Sequence, residues 1–309
     1  MILIVIVHAL FSAIFPIGRV ATHYSQPIFF TAVRMLIAGI ILLGIQYAQS
    51  GKLGSDKPVS FNDLKLFGLT ALFGVFLTNV LEFWALQFVP ATKAAFIYSL
   101  SPFFSAIASY FFFSEKFNLK KLIGMAIGLY GFLVMVMHDS PAEISHGGIG
   151  FFSLGELALI GSAIVTVFGW MAFRVLIRKG QYQSLEINGI TMIWGGVLAL
   201  IMSFITETWN PIPVNNIMLF SWYLALAILL SNILAYTLYG VLLKRYTVTF
   251  LAFTVFIEPL ITALYAWVFL GEVVTWRFFP ATLLVFCGLY LFYMEELKQG
   301  YVIKSTKLR

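Results

Sequence analysis

Charge is what this sequence has least of. Only 10% of its 309 residues are Asp, Glu, Lys or Arg, against roughly 25% in ordinary globular chains. The apolar share is 61%, more than a fold surrounded by water can hide. That balance excludes a cytosolic enzyme, a secreted domain and any sizeable catalytic module outside a bilayer. Cysteine is down to one, Cys287, so no internal disulfide forms and no thiolate cluster exists. The four histidines, at 8, 23, 138 and 146, have no metal-ligand spacing. A nucleophile elbow, a P-loop and a dinucleotide fingerprint are also missing, so no cofactor is called for, and neither ATP hydrolysis nor reductase chemistry finds support.

What the sequence does have is long apolar runs bounded by charge, Pro or Gly. They predict helices near Ile2–Gly18, Ile28–Tyr47, Leu66–Leu86, Ala94–Phe113, Leu119–Met137, Leu154–Phe173, Ile187–Ile205, Phe220–Leu243, Thr249–Leu270 and Phe278–Met294. Each approaches the roughly 20 residues that cross a bilayer, and none alternates as a barrel strand would. Backbone satisfaction in lipid then requires an all-α membrane protein of ten transmembrane helices. Met1 opens directly into the first run, without a basic n-region or a cleavage site, and reads as a retained helix. With the N-terminus placed in the cytoplasm, the 19 Lys and Arg divide unevenly. Outside connections hold Arg19, Lys93 and Arg277, Arg34 lies within a span, and the remaining fifteen, from Lys52 to Arg309, fall inside. Positive connections stay cytoplasmic, so both termini are expected there, in a bacterial inner membrane. The net charge of +6 therefore reports sidedness and not nucleic acid.

Sliding the second half over the first by 157 positions superposes Thr92 on Thr249, Pro102 on Pro259, Glu115 on Glu272 and Gly131 on Gly288. A competing match in the third helices pairs Thr78, Asn79 and Leu81 with Ser231, Asn232 and Leu234 at 153. Five helices per half is an odd number, so the copies enter the membrane from opposite sides and form two inverted five-helix repeats. The expected units are residues 1–137, an external linker at 138–150, residues 151–294 and a basic cytoplasmic tail at 295–309.

The run from Phe88 through Pro90, Lys93 and Tyr98 to Pro102, followed by Ser114-Glu115 and a helix carrying Gly124, Gly128 and Gly131, resembles the EamA-type unit of the drug/metabolite transporter superfamily. Glu258-Pro259 followed by Gly271-Glu272 looks like its second copy. The resemblance covers nearly the whole chain. It implies a ten-helix carrier with a central cavity and alternating access, usually moving small metabolites out of the cell. Ser114 stands where the first copy's Gly is expected.

Charges within predicted spans are Arg34, Glu82, Glu156 and Glu258. Each costs about 2.5–3.5 kcal/mol at a helix centre on insertion scales, so each needs a wet cavity or a partner. Glu156 sits in a first turn and reads as a helix-dipole residue. Glu82 shares a face with Thr78 and Asn79, as a cation contact, a proton-coupling carboxylate or a structural partner of Arg34 or an Asn. Glu258, beside Pro259, reads as satisfying backbone groups the proline frees, or as a gating residue. Arg34 offers five donors for a substrate carboxylate or phosphate, or braces the bundle. Polar-aromatic stripes add His8, Ser12 and Phe15; Tyr98, Ser101 and Ser105; Ser162, Thr166 and Trp170; Asn188, Thr191 and Trp194; and Asn232, Tyr236 and Tyr239. Gly124, Gly128 and Gly131 read as close helix packing. Glu115 and Glu272, in turns, are expected to cap the following helix or bind the neighbouring half.

The candidate substrate-binding set is Arg34, Glu82, Asn79, Phe15, Tyr98, Trp170, Trp194, Asn232, Tyr236 and Glu258. An anion contact, a cation contact and aromatic faces together suit an amino acid or amino-acid derivative, such as an aromatic amino acid or S-adenosylmethionine. The expected function is secondary transport of such a metabolite by alternating access, with the bilayer and a small molecule as partners. An intramembrane lipid-modifying enzyme is the alternative; it would need a catalytic set, yet His8 is the only histidine in a predicted span and no Asp occurs in one. A non-transporting scaffold is the third class, against which the repeat argues.

Overall fold

The computed structural model describes residues 2–51, 59–113, 118–136, 148–149, 152–246, 251, 254–274 and 276–298. Its helices are α1 (Ile2–Ala21), α2 (Pro27–Ser50), α3 (Phe61–Ala85), α4 (Ala91–Tyr98), α5 (Ser101–Phe113), α6 (Leu119–Val136), α7 (Leu154–Arg178), α8 (Ser184–Thr206), α9 (Ile217–Lys244), α10 (Ile257–Leu270) and α11 (Phe278–Lys298). Six of them, α1, α2, α3, α7, α8 and α9, are long and apolar enough to cross a membrane, with mean hydropathy between 1.8 and 2.4. Large apolar side chains remain outward, among them Trp222, Trp267, Phe269 and Trp276, as a bilayer-facing surface requires.

Local chemistry sets the ends. Ser60 with Asp63 opens α3 and Ser153 with Glu156 opens α7, both as reciprocal capping boxes. Left-handed Gly51 and Gly271 close α2 and α10. Between α4 and α5 the chain turns at residues 99–100, and before α10 it turns at 255–256. Pro102 and Pro259 explain both interruptions, because each removes a donor and crowds the preceding turn. Eight-residue π-helical stretches widen α3 at Thr70–Leu77 and α9 at Ile228–Ala235.

Packing pairs α2 with α8, α6 with α11, α3 with α7, and α1 with both α9 and α10. Glycine permits the closest approaches. A Cβ on Gly169 of α7 would land on the Gly74 backbone of α3. A Cβ on Gly288 of α11 would meet the Gly128 nitrogen of α6 at 2.6 Å, and one on Gly131 the Ala281 carbonyl at 2.8 Å, so the glycine stripe is packing, as its spacing predicts.

Several expectations shift. Asp63, placed outside the third span, lies in the first turn of α3, where Lys179 and the Tyr182 hydroxyl (3.2 Å) bind it at the end of α7. The capping box draws the helix back to Phe61 and carries this Asp with it. Lys93 is not in a connection but buried in α4, paired at 2.7 Å with Glu156. Glu156 is therefore both a cap and half of an ion pair. Helix α11 continues to Lys298, into the stretch expected as tail, because Glu and Leu are good helix formers there. Of the 138–150 connection only Gly148 and Ile149 are described, paired antiparallel with Phe152–Ser153. Glu115 and Thr249 lie outside the described residues.

Candidate functional site

Six chain segments converge on one cavity with an empty volume of about 690 Å³, counted with its mouth and the solvent in it. From α1 come His8, Phe11 and Phe15, one helical face. Thr78, Asn79 and Glu82 follow the π stretch of α3, and Ser231, Tyr236 and Tyr239 lie in and after that of α9. The α4–α5 break brings in Tyr98 and Ser101, the α10 break Val255 and Glu258, and α7 adds Thr166 and Trp170. Interrupted and π-widened helices thus supply much of the lining, which is where membrane transporters commonly place irregular backbone.

Four rings form one wall. Trp170 lies 4.4 Å from Tyr239 and 5.3 Å from Tyr236, and Phe11 lies 5.8 Å from Tyr239 and 5.5 Å from Tyr236. Phe15 meets Tyr98 edge-on at 6.0 Å, and the Tyr98 hydroxyl donates to Thr166 at 2.9 Å. Glu82 opens onto the cavity and makes no hydrogen bond or ion pair with any described residue. Such a wall with an unpaired carboxylate suits a flat apolar body bearing a cation.

Arg34 binds Asn79 and not Glu82. Its Nη2 donates to Asn79 Oδ1 at 2.5 Å, and its guanidinium lies 4.4 Å from the centre of the Phe83 ring. The residue is fully buried behind the lining, with Nε and Nη1 unpartnered. Asn79 Nδ2 in turn donates to the Val75 carbonyl at 2.7 Å and to the Tyr236 oxygen at 3.4 Å. Arg34 therefore reaches the cavity through Asn79. Glu258 does not satisfy backbone freed by Pro259: its Oε1 holds His8 Nδ1 at 2.7 Å, from 250 residues away. The unbranched carboxylate of α10 extends far enough to meet α1 instead.

Two candidates fall elsewhere. Trp194 is 38% exposed on α8, beside Phe67, and lies outside the cavity. Asn232 is buried behind the wall, with Nδ2 3.1 Å from Met35 Sδ, because the π stretch turns Ser231 inward in its place. Sequence reasoning left His8, Phe11, Thr166, Ser231 and Tyr239 out of the candidate set. All but Phe11 and Ser231 stood in the polar-aromatic stripes or the helix faces read above, Ser231 appeared only in a repeat match, and Phe11 gave no signal among 32 phenylalanines.

One end of the bundle is tied by polar contacts between helix ends. Arg19 at the end of α1 donates to the Leu86 and Val89 carbonyls at 2.7 and 3.2 Å. Glu207 after α8 accepts from the Ile28 and Phe29 N–H groups that open α2, at 2.7 and 2.8 Å. Glu272 after α10 caps α4, so the reading that it binds the neighbouring half holds.

Comparison with known proteins agrees with this architecture. The EamA-like transporter family model matches residues 1–137 and 153–294. A protein of Chlamydia trachomatis serovar L2 described as an S-adenosylmethionine/S-adenosylhomocysteine transporter is 35% identical over 302 residues, covering 96% of this chain and 89% of its own. Its Chlamydia muridarum counterpart, described in the same words, is 35% identical over 96% of this chain and 92% of its own. A probable amino-acid metabolite efflux pump of Salmonella typhimurium is 26% identical over 90% of this chain and 89% of its own. A crystal structure 18% identical in sequence shares the fold, with a TM-score of 0.66 over 95% of this chain and 97% of that one. With its apolar helices gathered around a buried cavity and both halves matched, this chain is a multi-span membrane transporter and belongs to the EamA-like transporter family.

Proposed function

We propose that this carrier exchanges S-adenosylmethionine and S-adenosylhomocysteine across a bacterial inner membrane by alternating access, as ten spans in two inverted five-helix repeats with both termini cytoplasmic. The observation that carries the substrate is the unpaired Glu82 carboxylate in a cavity walled by Trp170, Tyr236, Tyr239 and Phe11, in a chain 35% identical over nearly its full length to transporters of that pair. The rings stack the adenine, Glu82 meets the ammonium of the amino-acid end, and Asn79, held by Arg34, orients the carboxylate beside it. Phe15 and Tyr98 close one side. Glu258 belongs to the same lining, and Trp194 and Asn232 act only as packing.

Support for the inverted repeat comes from the packing. The pairs α2–α8 and α6–α11 are each self-related under exchange of halves, and α3–α7 maps onto α1–α9. The π stretches of α3 and α9 superpose within one residue under the 157-position shift, which favours that register over the shorter one. Counting α4 and α5 as one span broken before Pro102 gives five per half.

Proteoliposomes preloaded with S-adenosylhomocysteine and offered labelled S-adenosylmethionine test the reading. Uptake that needs the internal partner, resists aromatic amino acids and falls tenfold or more in Glu82→Gln is expected, since a hydrogen bond to a charged group contributes about 1.5–3 kcal/mol. Uptake of an aromatic amino acid without S-adenosylmethionine transport would replace the substrate.

A further inference from the structure

His8 and Glu258 hold a proton, and the hydrogen-bond geometry counts it. Thr254 Oγ1 lies 2.7 Å from the Leu251 carbonyl oxygen and 2.7 Å from His8 Nε2. Two oxygens do not sit that close without a hydrogen between them, and a hydroxyl has only one to give. Thr254 therefore donates to Leu251 and accepts from His8, so Nε2 carries a hydrogen. The other ring nitrogen, Nδ1, lies 2.7 Å from Glu258 Oε1. An ionised carboxylate only accepts, so either Nδ1 also carries a hydrogen or Glu258 is protonated. In both descriptions the pair is neutral and one titratable proton lies between the two atoms. His8 is fully buried and Glu258 nearly so. Around the pair, α9 presents Tyr239 and Tyr236, α3 presents Glu82 and α4 presents Tyr98, while the residues that α7 turns to the cavity, Thr166, Val167 and Trp170, do not titrate.

We propose that the His8–Glu258 pair is a proton-binding site that competes with the cationic group of the substrate for the Glu258 carboxylate. Loss of the proton leaves a nitrogen lone pair facing a carboxylate, a contact that cannot persist at 2.7 Å, so the carboxylate turns into the cavity it already lines. There it meets a cation. His8 stands on α1 and Glu258 on α10, in opposite halves of the chain, so exchanging proton for cation also breaks a contact between halves. Combined with the substrate reading above, on which this part rests, the site distinguishes the exchanged pair. S-adenosylmethionine carries a sulfonium that S-adenosylhomocysteine lacks, so the first displaces the proton and the second leaves it in place.

Titration calorimetry of the full chain in lipid nanodiscs, in two buffers of different ionisation enthalpy, counts the proton. S-adenosylmethionine binding should release about one proton and strengthen about tenfold per pH unit where the pair titrates; S-adenosylhomocysteine should release none. Glu258→Gln should abolish the release while ligand still binds. Binding of S-adenosylmethionine without proton release overturns the site. If neither compound binds, the substrate reading fails, and spectra of ¹⁵N-histidine-labelled protein without ligand decide the site alone. The His8 signal, assigned by its absence in His8→Gln, should show a proton shared with Glu258 at neutral pH. A neutral ring beside an ionised Glu258 overturns the proposal.

Discussion

The carboxylate of Glu272 closes on Thr92, 180 residues earlier in the chain, accepting from its N–H at 3.3 Å and its hydroxyl at 3.0 Å. Its second oxygen accepts from the Ala91 N–H at 3.0 Å. These donors are the unpaired first-turn groups of α4, where the helix dipole favours an anion. The contact joins the end of α10 to the start of α4. Glu272→Ala should destabilise the detergent-solubilised protein by about 1.5–3 kcal/mol, read as a lower unfolding midpoint. Thr92→Val should cost less, since it keeps both backbone donors. Equal midpoints for wild type and Glu272→Ala would show that the clasp adds nothing.

Gly169 and Gly74 set the distance between α7 and α3, because any side chain on Gly169 meets backbone, which cannot rotate away. Gly169→Ala should cost at least the roughly 1–3 kcal/mol of an overpacked core and lower the yield of folded protein. Gly44, with open space around its Cβ position, provides the comparison, and Gly44→Ala should leave yield unchanged.

Trp170 and Trp194 separate cavity from surface. Aromatic stacking on a base contributes about 1–3 kcal/mol, so Trp170→Ala should weaken S-adenosylmethionine binding roughly five- to a hundredfold. Trp194→Ala should leave affinity within twofold. Equal effects of the two substitutions in a binding titration would remove the ring wall from the site.

Glu207 gives stability a pH dependence. Burial holds its carboxyl above the usual glutamate range, outweighing the hydrogen bonds from Ser203, Ile28 and Phe29 that favour the anion. The folded state therefore disfavours the ionised form, and this group's contribution is fully present below the ordinary glutamate value and is lost as pH rises through the raised one. Unfolding midpoints of wild type relative to Glu207→Gln, taken between about pH 4 and pH 8, should fall as pH rises. A constant difference would assign Glu207 no such role.

Much of the fold was legible because it follows from additive properties. A run of apolar residues partitions into lipid whatever its neighbours do, so the spans could be expected from the chain alone. The turns before Pro102 and Pro259 interrupt runs that read as continuous helices, Ala94–Phe113 and Thr249–Leu270. The capping residues moved boundaries by a few positions and brought Asp63 into α3. Glu82, Asn79, Tyr98, Trp170 and Tyr236 could be placed on one cavity because scarce polar and aromatic groups on apolar helices have few other places to go.

Pairing was not legible, since it depends on which helix faces meet across hundreds of residues. Glu82 read as a structural partner of Arg34 or an Asn, among other roles, and only the rotation of α2 against α3 joined Arg34 to Asn79 instead. Trp194 and Trp170 look alike in sequence; packing turned one to the surface and the other inward. Composition and the lengths of the apolar runs determined that this chain is an all-helical membrane bundle. Tertiary structure alone set His8 against Glu258, because the hydrogen bond that joins them is made only when α1 and α10 lie side by side.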